Sequence, residues 1–200
     1  MNLINRVQNI THRHAHADPD NIRHTLILLG EKPVERLRRA LLRARRIEFG
    51  NNEMAFLKDL NNEKIEFMIV GLSAAALQGT PVVADNISLW FKDLTDIGIQ
   101  KALKKVGGTF MFPVSQNPPM FVGEAVKLFD IVTHMHGLES FAEEKQCAIK
   151  VPIGRLKVPV LALERIIRNK EATDREKDRL VLPVLRDALI AITESRKQDQ

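Results

Sequence analysis

Four arginines, Arg36, Arg39, Arg43 and Arg46, recur at spacings of three and four residues. Guanidinium groups at that helical pitch can follow the phosphates of an RNA or DNA backbone, and they equally suit a solvated helix face. No aromatic side chain alternates with them, so a stacking platform for single-stranded nucleic acid is not supported. His12, His14 and His16 sit around Arg13. Alternate imidazoles can ligate zinc, but no Cys lies near them, and a flexible terminus is the expected reading. His134 and His136 flank Met135 and could touch a base or accept a proton, or simply occupy a loop. The single cysteine, Cys147, excludes an internal disulfide and fits a reducing compartment. Its apolar-flanked position in a strand candidate over 146–151 predicts a buried structural thiol.

These groups need elements to position them. Over 33–47, Val34, Leu37, Leu41 and Ala44 fall on one helical face and the arginines on the other, with Pro33 suited to the first turn and Gly50 to the end. A short helix over 53–60 leads into an apolar, β-branched strand over 65–70. Gly71 ends that strand, and 72–77 favours helix until Gly79, Thr80 and Pro81 break it. Residues 86–91 alternate and then turn wholly apolar, as a second strand beside the first would.

Downstream, 96–106 predicts a helix with Ile97, Ile99, Ala102, Leu103 and Val106 as its buried stripe, stopped by Gly107 and Gly108. A strand over 110–114 is expected before a proline-containing loop at 115–119, with Met120 and Phe121 as a cleft wall. Residues 126–132 read as a strand carrying one carboxylate, Asp130. A hairpin over 148–160 turns at Gly154 and Arg155, a helix spans 161–170, and a last helical region runs over 174–195, with Pro183 either kinking it or opening a second helix.

This order of elements resembles the minimal nucleotidyltransferases of the polymerase-beta-like superfamily, toxin- and antitoxin-type members included. Their strand, turn, helix and second strand read roughly Val-Gly-Gly-Leu-Ala, then His-Gly, then Arg-x-Thr-x-Asp-Ile-Asp-Leu. The matching positions here are Val70, Gly71, Leu72 and Ser73, then Gln78 and Gly79, then Val82, Ala84, Asn86, Ile87, Ser88 and Leu89. Asp130 matches a third family Asp on the next central strand, and Lys170, Arg175, Lys177 and Asp178 match a closing strand-to-helix motif. The resemblance covers about residues 53–190. It implies an α/β (α+β) fold with a mixed sheet flanked by helices, in a domain over 51–195 preceded by a basic helical extension over 1–50.

The resemblance also implies a site. In the family a pair of Asp residues one residue apart points to the same side of its strand and holds two divalent cations against a nucleoside triphosphate, and the third Asp on the next central strand completes the metal site. Here Asn86 and Ser88 occupy the pair, leaving Asp130 as the carboxylate among the three implied catalytic and metal-binding positions. A strand slip of one residue would bring Asp85 towards the site but would aim Ile87 at the metals. The implied cofactor positions are Gly71 and Ser73, as a phosphate-facing turn, with Lys170 and Arg175.

Magnesium prefers hard anionic ligands, so the expectation is weak or absent Mg2+, with NTP as the ligand and transfer slowed or lost. The activity implied is transfer of a nucleoside monophosphate to a hydroxyl of RNA, protein or a small molecule. The alternative is a non-catalytic protein binding a nucleotide, an RNA such as tRNA, or a partner protein, as an antitoxin or regulatory subunit would.

Two hundred residues with 44% hydrophobic content suit one sizeable core with an appendage, and the net charge is +5. The longest apolar run, 67–77, is too short to cross a bilayer, and residues 1–10 lack the apolar centre of a secretory signal. A cytoplasmic protein without membrane association is expected.

Overall fold

In the computed structural model, which describes residues 2–45, 49–112 and 118–198, the core strand is β1 (Phe67–Val70), with all four side chains buried. A strand covered on both faces needs an unbroken apolar run, and Phe-Met-Ile-Val supplies it. β1 pairs antiparallel with β2 (Ile87–Phe91) and parallel with β7 (Leu156–Val160). β2 pairs parallel with β5 (Phe129–Val132), and β7 antiparallel with β6 (Ile149–Ile153). The resulting mixed sheet has the order β5-β2-β1-β7-β6. β3 (Thr109–Met111) and β4 (Met120–Val122) form a separate ribbon that places Phe121 in the core against Phe56, Phe91 and Phe110. The mixed sheet flanked by helices is thus the architecture expected.

The helices are α1 (Leu3–Arg13), α2 (Pro19–Leu29), α3 (Pro33–Arg45), α4 (Asn51–Asn62), α5 (Gly71–Gln78), α6 (Ile97–Lys105), α7 (Phe141–Gln146), α8 (Leu163–Thr173) and α9 (Glu176–Gln198). α5 packs on β1 and β2 and against α3 and α8. Through Val34, Leu37, Ala40 and Leu41, α3 belongs to the same core as the sheet. α1 and α2 instead pack on α9, where Ile10, Ile22, Leu26 and Ala191 make a second cluster. Full burial of an Ile or Leu contributes about 2 kcal/mol, so this small cluster is enough to dock two helices.

Several local expectations need correction. Residues 3–13 form a helix with Asn2 as its cap, because the Asn2 side chain accepts from the Asn5 amide at 2.9 Å. Gly50 starts α4 rather than ending α3, since its amide donates to the Glu53 carboxylate at 2.9 Å. Ile97 is 65% exposed because it occupies the first turn of α6, beside the Asp96 cap, while Ile99, Ala102 and Leu103 carry the buried stripe. Cys147 is exposed as the residue capping α7, before β6 begins. Pro183 lies inside a continuous α9. Of the expected 110–114 strand, β3 ends at Met111, and residues 113–114 lie outside the described residues.

Candidate functional site: a cleft between the sheet and the last two helices

β1 passes into α5 through Gly71 alone, whose φ of 66° is a left-handed conformation. A Cβ there would meet the Ser88 hydroxyl at 3.5 Å, an ordinary contact, so the glycine is required by conformation rather than by space. Ser73, expected to face a phosphate, is buried and donates its hydroxyl to the Val70 carbonyl at 3.0 Å. Its donor closes the first turn of α5, while the residue itself still lines the cleft. At the far end of α5, Gln78 donates to the Leu161 carbonyl and accepts from the Leu163 amide, both at 3.0 Å. That side chain ties α5 to the start of α8.

The register of β2 is fixed by Ile87, which is completely buried. Asn86 and Ser88 therefore share the other face, and Ser88 stands opposite Asp130 on β5. The slip that would exchange Asp85 into the line is excluded, although Asp85 lines the same cleft from the preceding turn. Asn86, Ser88 and Asp130 are brought together as expected, and they are hydrogen-bonded to one another. The Ser88 hydroxyl donates to the Asn86 carbonyl oxygen at 3.3 Å, and the Asn86 amide donates to the Asp130 carboxylate. A carboxylate accepts only, so the amide nitrogen is the group that must face it.

α8 and α9 supply the rest of the lining. Asp178, 1% exposed, accepts from the Lys170 ammonium at 2.7 Å, the Thr173 hydroxyl at 2.9 Å and Arg175 Nε at 2.7 Å. Burial pushes its pKa up, but these donors outweigh burial and hold the carboxyl well below the usual range. Lys170 is buried with its charge on Asp178, whereas Arg175 remains about half exposed. Lys177, which follows in the same motif, is exposed in the cleft and has no carboxylate partner among the described residues. The cleft has a volume of about 380 Å³. Of its charged lining residues, Asp85, Lys177 and Asp178 are not among the expected cofactor contacts and ligands. The position of Lys177 before Asp178 in the closing motif was the available signal.

The donor set does not fit a pair of divalent cations. It offers Asp130, an amide whose hydrogens point at that carboxylate, and a hydroxyl. Magnesium sheds its waters reluctantly and is held by carboxylates together with substrate phosphates. No group of three or more His, Cys, Asp or Glu side chains among the described residues is arranged to hold a metal.

The arginine row is divided by its surroundings. Arg36 is half-buried and donates to the Glu31, Leu77 and Leu29 carbonyls at 3.0, 3.1 and 2.9 Å, so it closes helix ends rather than presenting charge. Burial lowers its pKa, partly offset by Glu31. Arg39 is exposed and paired with Glu31 at 2.6 Å. Arg43 belongs to α3 by its backbone, and Arg46 lies outside the described residues. His134 and His136 stack edge-to-face at 4.7 Å, exposed after β5, and neither lines the cleft. His14 approaches Glu194 at 3.8 Å, and the His14 and His16 rings lie 6.2 Å apart.

No protein-family model matches the chain, and no curated protein matches it. Two solved structures share part of its shape. One is the crystal structure of ANT(2'')-Ia in complex with adenylyl-2''-tobramycin, at 14% identity and a TM-score of 0.48, covering 72% of this chain and 95% of that one. The other is the solution structure of the antibiotic-resistance factor ANT(2'')-Ia, at 15% identity and a TM-score of 0.48, covering 74% of this chain and 90% of that one. No helix among the described residues is long and apolar enough to cross a membrane.

Proposed function

We propose that this chain is a nucleotidyltransferase-fold protein whose cleft receives a nucleotide without the pair of metal ions that transfer requires. The observation that carries the reading is the Asn86 amide donating into Asp130 where a second carboxylate would be needed. Phosphoryl transfer is mainly positioning and charge neutralisation, so losing the metal scaffold removes the chemistry while leaving a pocket. Three cations, Lys170, Arg175 and Lys177, and three carboxylates, Asp85, Asp130 and Asp178, line that pocket. Since Asp178 already engages Lys170 and Arg175, Lys177 is the charge left to meet a phosphate. A second reading, residual transfer, is favoured by Asp85 at the rim of the same cleft.

Calorimetric titration with the four ribonucleoside triphosphates in EDTA, magnesium and manganese tests this. Binding of equal strength with and without metal, weakened several-fold by Lys177→Gln, is expected. Affinity raised tenfold or more by metal, and lost in Asp130→Asn, would favour the transferase instead. Absence of binding under every condition would leave a scaffold.

A further inference from the structure

A second pocket, of about 490 Å³, opens between α1, α2, β6 and α9, and its charge is one-sided. Arg6, Arg36, Lys150 and Arg196 line it, and no carboxylate among the described residues does. Arg36 is committed to backbone carbonyls. Arg6 donates from one terminal nitrogen to the Ser195 hydroxyl at 2.7 Å, but its Nε is shielded from solvent with no hydrogen-bond partner among the described residues. A buried donor left unmade is costly, most of all on a charged group. Lys150 and Arg196 are exposed at the mouth, and neither has a carboxylate partner among the described residues. Between these cations lie Leu26, Leu29 and Ile192, an apolar floor.

A concave site with apolar walls and a few convergent polar groups is the usual form of a small-molecule pocket. Here the charged side chains are all cationic, which concentrates anions. We infer that this pocket binds a small organic anion, its phosphate or carboxylate head held by Arg6, Lys150 and Arg196 and its apolar body laid on Leu26, Leu29 and Ile192. The site stands on its own observations, apart from the cleft and whatever that cleft binds.

The test is methyl NMR of the full chain, following the Leu26, Leu29 and Ile192 signals during titration with phenyl phosphate, with benzoate and with the neutral benzyl alcohol. Saturable shifts from at least one of the two anions are expected, and the stronger binder identifies the head group. The same titration should be about tenfold weaker in Lys150→Gln, which alters an exposed side chain on an edge strand, and in Arg6→Gln. Asp130→Asn should leave it unchanged. No saturable shift from either anion, equal binding of benzyl alcohol, or undiminished binding in Lys150→Gln would overturn the site.

Discussion

Asp178 and Asp130 line one cleft, yet the first is 1% exposed and ringed by Lys170, Thr173 and Arg175, whereas the second is open to solvent beside an amide. The Asp178 cluster is architecture: it fastens the end of α8 to the start of α9, and its charges are directed at each other. The Asp130 side is where a ligand could still be met, and there the groups are few and mostly neutral. One cleft can therefore combine a buried ionic joint that shapes it with an exposed face whose groups are mostly neutral.

The comparison breaks most visibly if Asp178 is removed. Asp178→Asn leaves Lys170 buried beside a neutral amide, and a loss of roughly 3–5 kcal/mol is expected in urea denaturation. Asp130→Asn, on the exposed side, should cost far less. Acid sharpens the same contrast. The Asp178 carboxyl is held below its ordinary value, so its stabilisation is complete above the unfolded pKa of about 3.9 and is lost as pH falls through the lower folded value. Below about pH 4 the parent should lose stability more steeply than Asp178→Asn, as read from denaturation midpoints across pH.

Smaller effects follow at the turn and on the arginine helix. Gly71→Ala has room for its methyl group but not the conformation, and should cost about 1–2 kcal/mol in thermal or urea unfolding. Arg39→Ala breaks an exposed pair and should change stability by less than about 1 kcal/mol. If it also leaves the salt dependence of RNA binding unchanged, Arg39 makes no phosphate contact.

What could be read from the chain differs between its parts for physical reasons. The apolar run ending at Val70, Gly71 and the alternation after Asn86 predict the strand-helix-strand unit, because burial on both faces and a positive φ leave marks on composition. The convergence of Asn86, Ser88 and Asp130 follows from strand periodicity once β2 and β5 pair. That Ser73 and Arg36 donate to backbone carbonyls could not be read from the chain, because such partners carry no side-chain signal. Cys147 looked buried from apolar neighbours, but it falls at a helix end, where neighbours in sequence do not set exposure. The anion pocket could not be foreseen, since it joins residues from Arg6 to Arg196.

The most direct test adds carboxylates at Asn86 and Ser88. In Asn86→Asp combined with Ser88→Asp, calorimetric titration with manganese should show affinity at least about tenfold above the parent, because two carboxylates then join Asp130 on one face of the sheet. Unchanged affinity would contradict the account, showing that these two positions are not what keeps metal from the cleft.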